Sequence, residues 1–316
     1  MYTGEKEVED FLTELQRSRV IVVTTARAAL NRAIEFEYKF NKPFYQFTTE
    51  EALEMYASAH AISVVSLQNT NLLLKNASKW FRYKTGDMLD SAYEKITKDL
   101  LLTVIDTEKQ KSLILSREDV NDIKANLLNC TDKAIVEALF LGFGSLWLRE
   151  LTFFEVSHVD TSDYIAYFKT GKSIPIGQEV YELLKNACEE DELMSFGSTA
   201  RVAKVTGHWI YKIRANALSD NSNWNSEEDA ERRYRFVLRR LTLMSKDLGV
   251  KLTPSGLQSS GLLWHLQRGV KETGLTFREY VRTEQARELA KRYDILSPFY
   301  SQILLEKFSM YFECGL

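Results

Sequence analysis

The chain has 316 residues, a net charge of −3, 45% hydrophobic and 12% aromatic residues; this is enough for packed cores in one large domain or two, and too apolar for a disordered chain. Three scattered cysteines (Cys130, Cys188, Cys314) and four dispersed histidines support neither a disulfide framework nor a metal-ligand set, and no cofactor is expected. The longest nearly apolar run, Ala138 to Leu148, is too short to span a bilayer, and the first ten residues carry four acids and no apolar signal core, so a cytoplasmic protein without a membrane partner is expected.

The net charge argues against a wholly basic nucleic-acid protein, but its distribution is uneven. Ala61 to Gly86 holds Lys75, Lys79, Arg82 and Lys84 and no acid; Leu193 to Ser219 holds Arg201, Lys204, Lys212 and Arg214 and none; Arg232, Arg233, Arg235, Arg239 and Arg240 crowd one stretch. Polyanions could be held at such places.

Fourteen glycines and four prolines favour helix. The first part, residues 1–108, reads as a bundle. One helix runs Glu5 to Gln16; a second follows Thr24; a third starts at the capping signal Thr48 or Thr49; a fourth, about Ser66 to Tyr83, buries Leu67, Leu73, Leu74, Ala77, Trp80 and Phe81. On the fourth, Gln68, Asn71, Lys75, Lys79 and Arg82 fall at steps of three and four, aligned as one polar, basic stripe that is either a solvated face or a binding face. The polar stretch Asp106 to Arg117 separates this bundle from the rest, with 109–117 as linker.

In the second part, residues 118–316, Ser116 to Asn129 reads as a capped helix and Thr131 to Leu151 as a buried one. Asp163 to Ile176 reads as strands joined by a tight turn at Lys169-Thr170-Gly171-Lys172. Helices are expected at Gly177 to Glu189, Ser226 to Lys246, Pro254 to Arg268, Thr276 to Arg292 and Pro298 to Phe312, with Arg201 to Ile213 open between helix and strand. The Ser226 helix buries Tyr234, Val237, Leu238, Leu241 and Met244, leaving Arg232, Arg235, Arg239 and Lys246 on an outer face suited to phosphate or simply to solvent. The fold class is mainly α with a small antiparallel sheet.

Common enzyme motifs fail. Gly171-Lys172-Ser173 lacks the earlier glycine of a phosphate loop, since Ala166 stands there; Gly142 and Gly144 lack the third glycine of a dinucleotide fingerprint, since Trp147 stands there.

The order of these parts resembles the tyrosine recombinase (phage integrase) family over nearly the whole chain. FTTEEALEMYASAHAISVVSLQNTNLLLKNASKWFRYKTG is similar to the end of that family's helical core-binding domain, which clamps duplex DNA, and ILSREDVNDIKANL to the first helix of its catalytic domain. ALFLGFGSLWLRELTFFEVSHVD resembles the segment of the first catalytic arginine, YIAYFKTGKSIPI the hairpin of the catalytic lysine, LTPSGLQSSGLLWHLQRGV the His-x-x-Arg box and QARELAKRYDI the nucleophile segment. The resemblance implies Lys169 as the lysine and Tyr293 as the nucleophile. It also puts Trp147 at the first arginine, Ser255 at the histidine and Gln258 at the second arginine. Arg149 lies two positions on, about 200° around a helix, and cannot simply substitute.

Strand transfer builds negative charge on the scissile phosphate, which two guanidinium groups would hold bidentately; losing one such oriented donor costs about 3–4 kcal/mol of barrier. The degenerate set therefore implies a recombinase scaffold that binds DNA without cutting it. Within the family the chain is most similar to integrase-like lysogeny repressors of SPbeta-type Bacillus phages. By that resemblance it is expected to occupy double-stranded operators in a bacterial host, with a regulatory protein or peptide as a possible partner.

Arg27, Asn31, Asn71, Lys75, Lys79, Arg201, Lys204, Arg232, Arg235 and Arg239 are the expected DNA contacts. Competing readings are an active recombinase using Arg149, Lys169, His265 and Tyr293, and a protein-interaction module with no DNA role. In the tail, Phe299, Ile303, Leu304, Leu305, Phe308 and Phe312 form an apolar face after Ser297-Pro298, which either packs on its own domain or drives self-association.

Overall fold

A computed structural model describes residues 3–17, 23–61, 63–86, 90–196, 201–206, 210–214 and 224–312, with backbone alone at 23, 24, 213 and 214. Cys314, His208 and the 215–219 end of the basic Leu193–Ser219 stretch lie outside the described residues. Two units are present, Met1–Ser112 and Leu113–Leu316.

The first unit holds α1 (Glu5–Arg17), α2 (Val23–Phe40), α3 (Thr49–Ala57), α4 (Val64–Thr85) and three short helices, α5 (Ala92–Lys95), α6 (Lys98–Leu102) and α7 (Thr107–Lys111). Local chemistry sets the boundaries. Thr48 and Glu51 form a reciprocal capping box at the start of α3, and Gly86, at φ +74°, ends α4 in the left-handed region that glycine tolerates. Phe11, Leu30, Phe44, Tyr56, Leu74, Phe81 and Tyr93 fill the core. Fully buried Glu37 accepts hydrogen bonds from the Thr3 and Phe44 amides, both at 2.8 Å, fixing the chain before α1 and the turn after α2. The charged stretch expected to be linker contains α7, capped by Asp106.

The second unit opens with α8 (Arg117–Asn126), held by a Ser116–Asp119 capping box, and α9 (Cys130–Phe140). The single long helix expected over Thr131 to Leu151 is interrupted. Gly142 takes φ +93°, and Ser145, Trp147 and Leu148 take φ +64°, +61° and +51°, so the chain turns before α10 (Arg149–Thr152). Two three-stranded antiparallel sheets follow where one small sheet was expected: β1 (Val159–Asp160), β2 (Ile165–Tyr167) and β3 (Ser173–Pro175), then, after α11 (Gly177–Glu189), β4 (Glu192–Met194), β5 (Val202–Thr206) and β6 (Ile213–Arg214). Within the ambiguous Arg201–Ile213 stretch, Val202–Thr206 is strand β5.

The rest is helical: α12 (Glu227–Leu248), α13 (Pro254–Thr273), α14 (Phe277–Tyr280), α15 (Glu284–Arg292) and α16 (Tyr300–Phe308). The helix expected over Thr276 to Arg292 is two helices, because Thr276 and Thr283 each cap a fresh start. Helix α9 lies deep in a core with Phe143, Phe154, Ile174, Leu184 and Val237. It crosses α13 so closely that a methyl on Gly261 would lie 1.7 Å from the Phe140 carbonyl oxygen. Leu304 and Phe308 of the tail complete a further core with Leu262, Leu266 and Val281, and Phe312 stacks on Phe277 at 3.9 Å. The tail thus packs on its own unit.

Candidate functional site

The residues singled out by the recombinase resemblance meet around the loop after α9, the turn between β2 and β3, the start of α13 and the end of α15. Tyr293 follows α15 directly. Its ring is only 8% exposed, and its hydroxyl donates a 2.6 Å hydrogen bond to the Phe140 carbonyl. Burial pushes the phenol well above its ordinary pKa, and the adjacent Arg292 only partly offsets this. Such a phenol is a poor nucleophile, since the phenolate that would attack is the disfavoured form.

The neighbouring cations are also engaged. Arg292 donates from Nε to the Leu141 carbonyl at 2.6 Å, and its ordinary pKa is lowered by burial. Arg117 is paired with fully buried Glu137 at 2.8 Å. His265, whose ring lies 6.2 Å from that of Tyr293, has its pKa lowered from 6.5 to about 3 by burial and then by Arg292, Arg268 and Arg117, so it is neutral at physiological pH.

A second cluster lies beside this one. Lys172, in the turn between β2 and β3, donates to Glu150 at 2.7 Å and to Asp294 at 2.8 Å. Glu150, 1% exposed, also accepts from the Gly144 amide at 2.9 Å and the Thr170 hydroxyl at 2.7 Å. Asp294, with φ +61°, accepts from the Ser145 amide at 2.8 Å. Two carboxylates thus flank one ammonium group, leaving a local excess of negative charge where a phosphate would need positive charge. The turn brings Lys172, not the expected Lys169, into this cluster. Lys169 is exposed, its ammonium 5.5 Å from the centre of the Trp224 ring.

The remaining expected site residues are placed as follows. Trp147 packs edge-on against Tyr234 at 5.6 Å. Gln258 points its amide to the Phe143 carbonyl at 3.4 Å and lies close to Gly144. Ser255 is exposed on α13. Arg149 is half-buried, with its Nε lacking a hydrogen-bond partner among the described residues. Sequence reasoning missed Lys172, Glu150 and Asp294. The Gly171-Lys172-Ser173 motif was a signal for the first, but the reach of Asp294 across to the turn left none.

The expected DNA contacts divide. Asn71 is a correction: it is 9% exposed, accepts from the Tyr56 hydroxyl at 2.9 Å and donates to the Tyr93 carbonyl at 3.1 Å, so it braces the first unit's core. Arg82 of the same stripe is also buried and donates to the Tyr45 carbonyl at 2.8 Å. Lys75 and Lys79 share Glu94, at 3.9 and 2.8 Å. Arg27 is held bidentately by Glu9, and Asn31 is exposed.

In the second unit Arg201 and Lys204 are exposed on and beside β5. On α12 the outer face carries Arg232, Arg235, Arg239 and Lys246. Arg232 pairs with Asp229, and Arg235 with Glu231 at 2.7 Å. The other two arginines of that helix are internal. Arg233 is fully buried between the Phe153 and Tyr211 rings and donates to the Thr152 carbonyl at 3.1 Å, while Arg240 reaches the buried carboxylate of Asp132 from Nε at 2.7 Å.

Among the described residues no group of three or more His, Cys, Asp or Glu could hold a metal ion, and no helix is long and apolar enough to cross a membrane.

The helical first unit, the hairpin, the loop after α9 and the late tyrosine define an integrase-like protein with a tyrosine-recombinase-like fold. Residues 114–308 match the family described as MrpR, C-terminal catalytic domain, and the chain belongs to that family. It is similar to the SPbeta prophage-derived uncharacterized protein YopR of Bacillus subtilis (strain 168), with 22% identity over 282 residues that cover 84% of this chain and 82% of that protein.

Proposed function

We propose that this protein is a sequence-specific double-stranded DNA-binding repressor that maintains phage lysogeny in the bacterial cytoplasm, built on an integrase scaffold that does not cleave DNA. The observation that carries this reading is the Tyr293 hydroxyl, buried and committed to the Phe140 carbonyl at 2.6 Å. Three further features support it: Trp147 and Gln258 stand where the resembling enzymes have arginines, Lys172 is neutralised between Glu150 and Asp294, and His265 is unprotonated. Exposed basic side chains on α12 and near β5 supply phosphate contacts in this reading.

The test is footprinting of the full chain on prophage DNA, followed by incubation with a bound fragment nicked within the protected site. Protection without a covalent adduct is expected. A protein–DNA adduct that disappears in Tyr293→Phe would establish an active recombinase instead, and failure to protect any fragment at low salt would favour a protein-interaction module.

A further inference from the structure

The second unit contains a cavity of about 430 Å³ that the DNA-binding reading leaves unused. It lies where the end of α11 meets the single turn Val156–His158 and the last residues of β5. Four acids line it, Glu155, Glu189, Glu190 and Asp191. Like charges gathered in this way repel one another, and the helix adds to them: the last turn of α11 holds no basic residue, and a helix C-terminus is itself the negative end of the peptide dipoles.

The surrounding protein meets only part of this charge. Glu190 is committed elsewhere, accepting hydrogen bonds from the Cys130 and Thr131 amides at the start of α9, both at 2.8 Å. The nearby cation, Lys212, is 3% exposed and donates to the Cys188 carbonyl at 2.7 Å. Glu189 and Asp191 are exposed and form no salt bridge or side-chain hydrogen bond among the described residues.

Cys188 also lines the cavity. It is only 7% exposed, and its free thiol has no hydrogen-bond partner among the described residues. Burial pushes that thiol up to about 11; Lys212 partly opposes the shift, and Glu189 and Glu155 add to it. The thiol is therefore neutral and lies within electrostatic reach of two of the lining carboxylates. A buried, unpartnered polar group and unmet carboxylates thus share one space.

Three properties define what fits there. The occupant is cationic. It is larger than a metal ion, because among the described residues no three His, Cys, Asp or Glu come together as ligands, while the volume falls in the range of small-ligand sites, about 300–1,000 Å³. It also has an apolar side, since buried Val205 and half-buried Val156 form part of the wall. A guanidinium group has all three: its flat faces are weakly hydrated and rest on apolar surface, while the N–H groups around its edge donate to carboxylates. A lysine-type ammonium is compact and strongly hydrated, and loses more on entering such a wall.

We propose that this cavity is a binding site for a guanidinium-bearing ligand, held by Glu189 and Asp191 at the mouth and by Glu155 and the Cys188 thiol further in. Once occupied, it ties the end of α11 to β5 and to the Val156–His158 turn. The site stands independently of DNA binding. The guanidinium comes either from a free small molecule or from an arginine side chain of a peptide segment, and the probes separate the two sources.

The test is calorimetric titration of the full chain with agmatine, arginine amide and the blocked peptide acetyl-Gly-Arg-Gly-amide, with the corresponding lysine peptide and spermidine for comparison. The guanidinium probes should bind once per chain, and the lysine peptide and spermidine about tenfold more weakly. Glu189→Gln and Asp191→Asn should each weaken binding about tenfold, through loss of a charge-assisted hydrogen bond, and should not lower the thermal midpoint, since both relieve repulsion. Glu192→Gln, exposed on β4 and outside the cavity lining, should leave affinity unchanged. Alkylation of Cys188 by iodoacetamide, followed by peptide mass spectrometry, should slow along the same saturation curve. Equal affinity for agmatine and the arginine peptide would support the site and assign it to a free ligand; preference for the peptide would support it and assign it to a peptide segment. The proposal is overturned if no guanidinium probe binds at millimolar concentration, if the lysine peptide and spermidine bind equally well, or if both variants keep full affinity.

Discussion

Lys172 and Asp294 are 122 residues apart in the chain and meet in a 2.8 Å ion pair that joins the turn between β2 and β3 to the residue after Tyr293. Glu150, fully buried, holds the same ammonium group from the other side. Lys172→Met should therefore destabilise the protein by about 3–5 kcal/mol, because a buried carboxylate loses its cation. Adding Glu150→Gln should recover part of that loss, since the uncompensated charge is removed. Urea unfolding of the two single variants and the double variant measures the coupling; a strictly additive double variant would mean that the pair does not interact.

Tyr293→Phe separates structure from chemistry at the same place. The Phe140 carbonyl loses a buried donor, so stability should fall by about 1–3 kcal/mol. Affinity for DNA below the unfolding midpoint should stay within twofold of the wild type, as measured by fluorescence anisotropy. A much larger loss of affinity would show that the hydroxyl meets the nucleic acid.

His265 gives a pH dependence with a definite sign. Its folded pKa is lowered from 6.5 to about 3, first by burial and then by the nearby arginines, so protons bind preferentially to the unfolded chain between those values. The stabilisation is present above pH 6.5 and is lost as pH falls towards 3, at up to about 1.4 kcal/mol per pH unit. Replacement by leucine should flatten the acid limb of stability by about one proton between pH 6 and 4. Urea midpoints at three pH values would reveal it, and parallel curves for wild type and His265→Leu would contradict the assigned shift.

On α12, surface and interior arginines should behave differently. Arg239 is exposed and makes no ion pair among the described residues, while Arg233 is fully buried between two rings. In the DNA-binding reading, Arg239→Ala weakens binding to all sequences alike and reduces the slope of log affinity against log salt by about 0.9. Arg233→Ala should instead lower the unfolding midpoint sharply, leaving Asp229 without its buried partner. An unchanged salt slope for Arg239→Ala would remove that side chain from the phosphate contacts.

For the tail, Leu304 and Phe308 fill a core, whereas Leu296 and Phe299 are 77% and 69% exposed. Removing the chain after Asp294 should cost folding and so cannot report on self-association. Phe299→Ser with Leu296→Ser should leave the fold intact, and sedimentation of that pair tests whether the exposed residues join copies: an unchanged mass excludes them.

Much of the helical framework was legible because caps and apolar spacing are local. Thr48, Ser116 and Gly86 end or start elements as their chemistry dictates. The failures have a common cause. Asn71, Arg233 and Arg240 are polar residues facing inward, and their partners, the Tyr93 carbonyl, the Thr152 carbonyl and Asp132, come from segments 22, 81 and 108 residues away. Helical spacing put Asn71 and Arg82 on a plausible outer stripe, because periodicity cannot tell a solvated polar residue from one satisfied inside. In the candidate site, Tyr293 was named from the order of segments alone. That Lys172 and not Lys169 lies beside Glu150 and Asp294 was not legible, because which residue of a four-residue turn points inward depends on its backbone geometry.

At Gly261 the absence of a side chain joins assembly to apparent reactivity. An added methyl would lie 1.7 Å from the Phe140 oxygen and 2.7 Å from the Tyr293 hydroxyl, so even alanine would wedge two helices apart and release the phenol from its acceptor. A scan of this stretch for loss of function would score that glycine as though it touched DNA. Its effect would be mechanical: the width of one hydrogen atom keeps the phenol locked away.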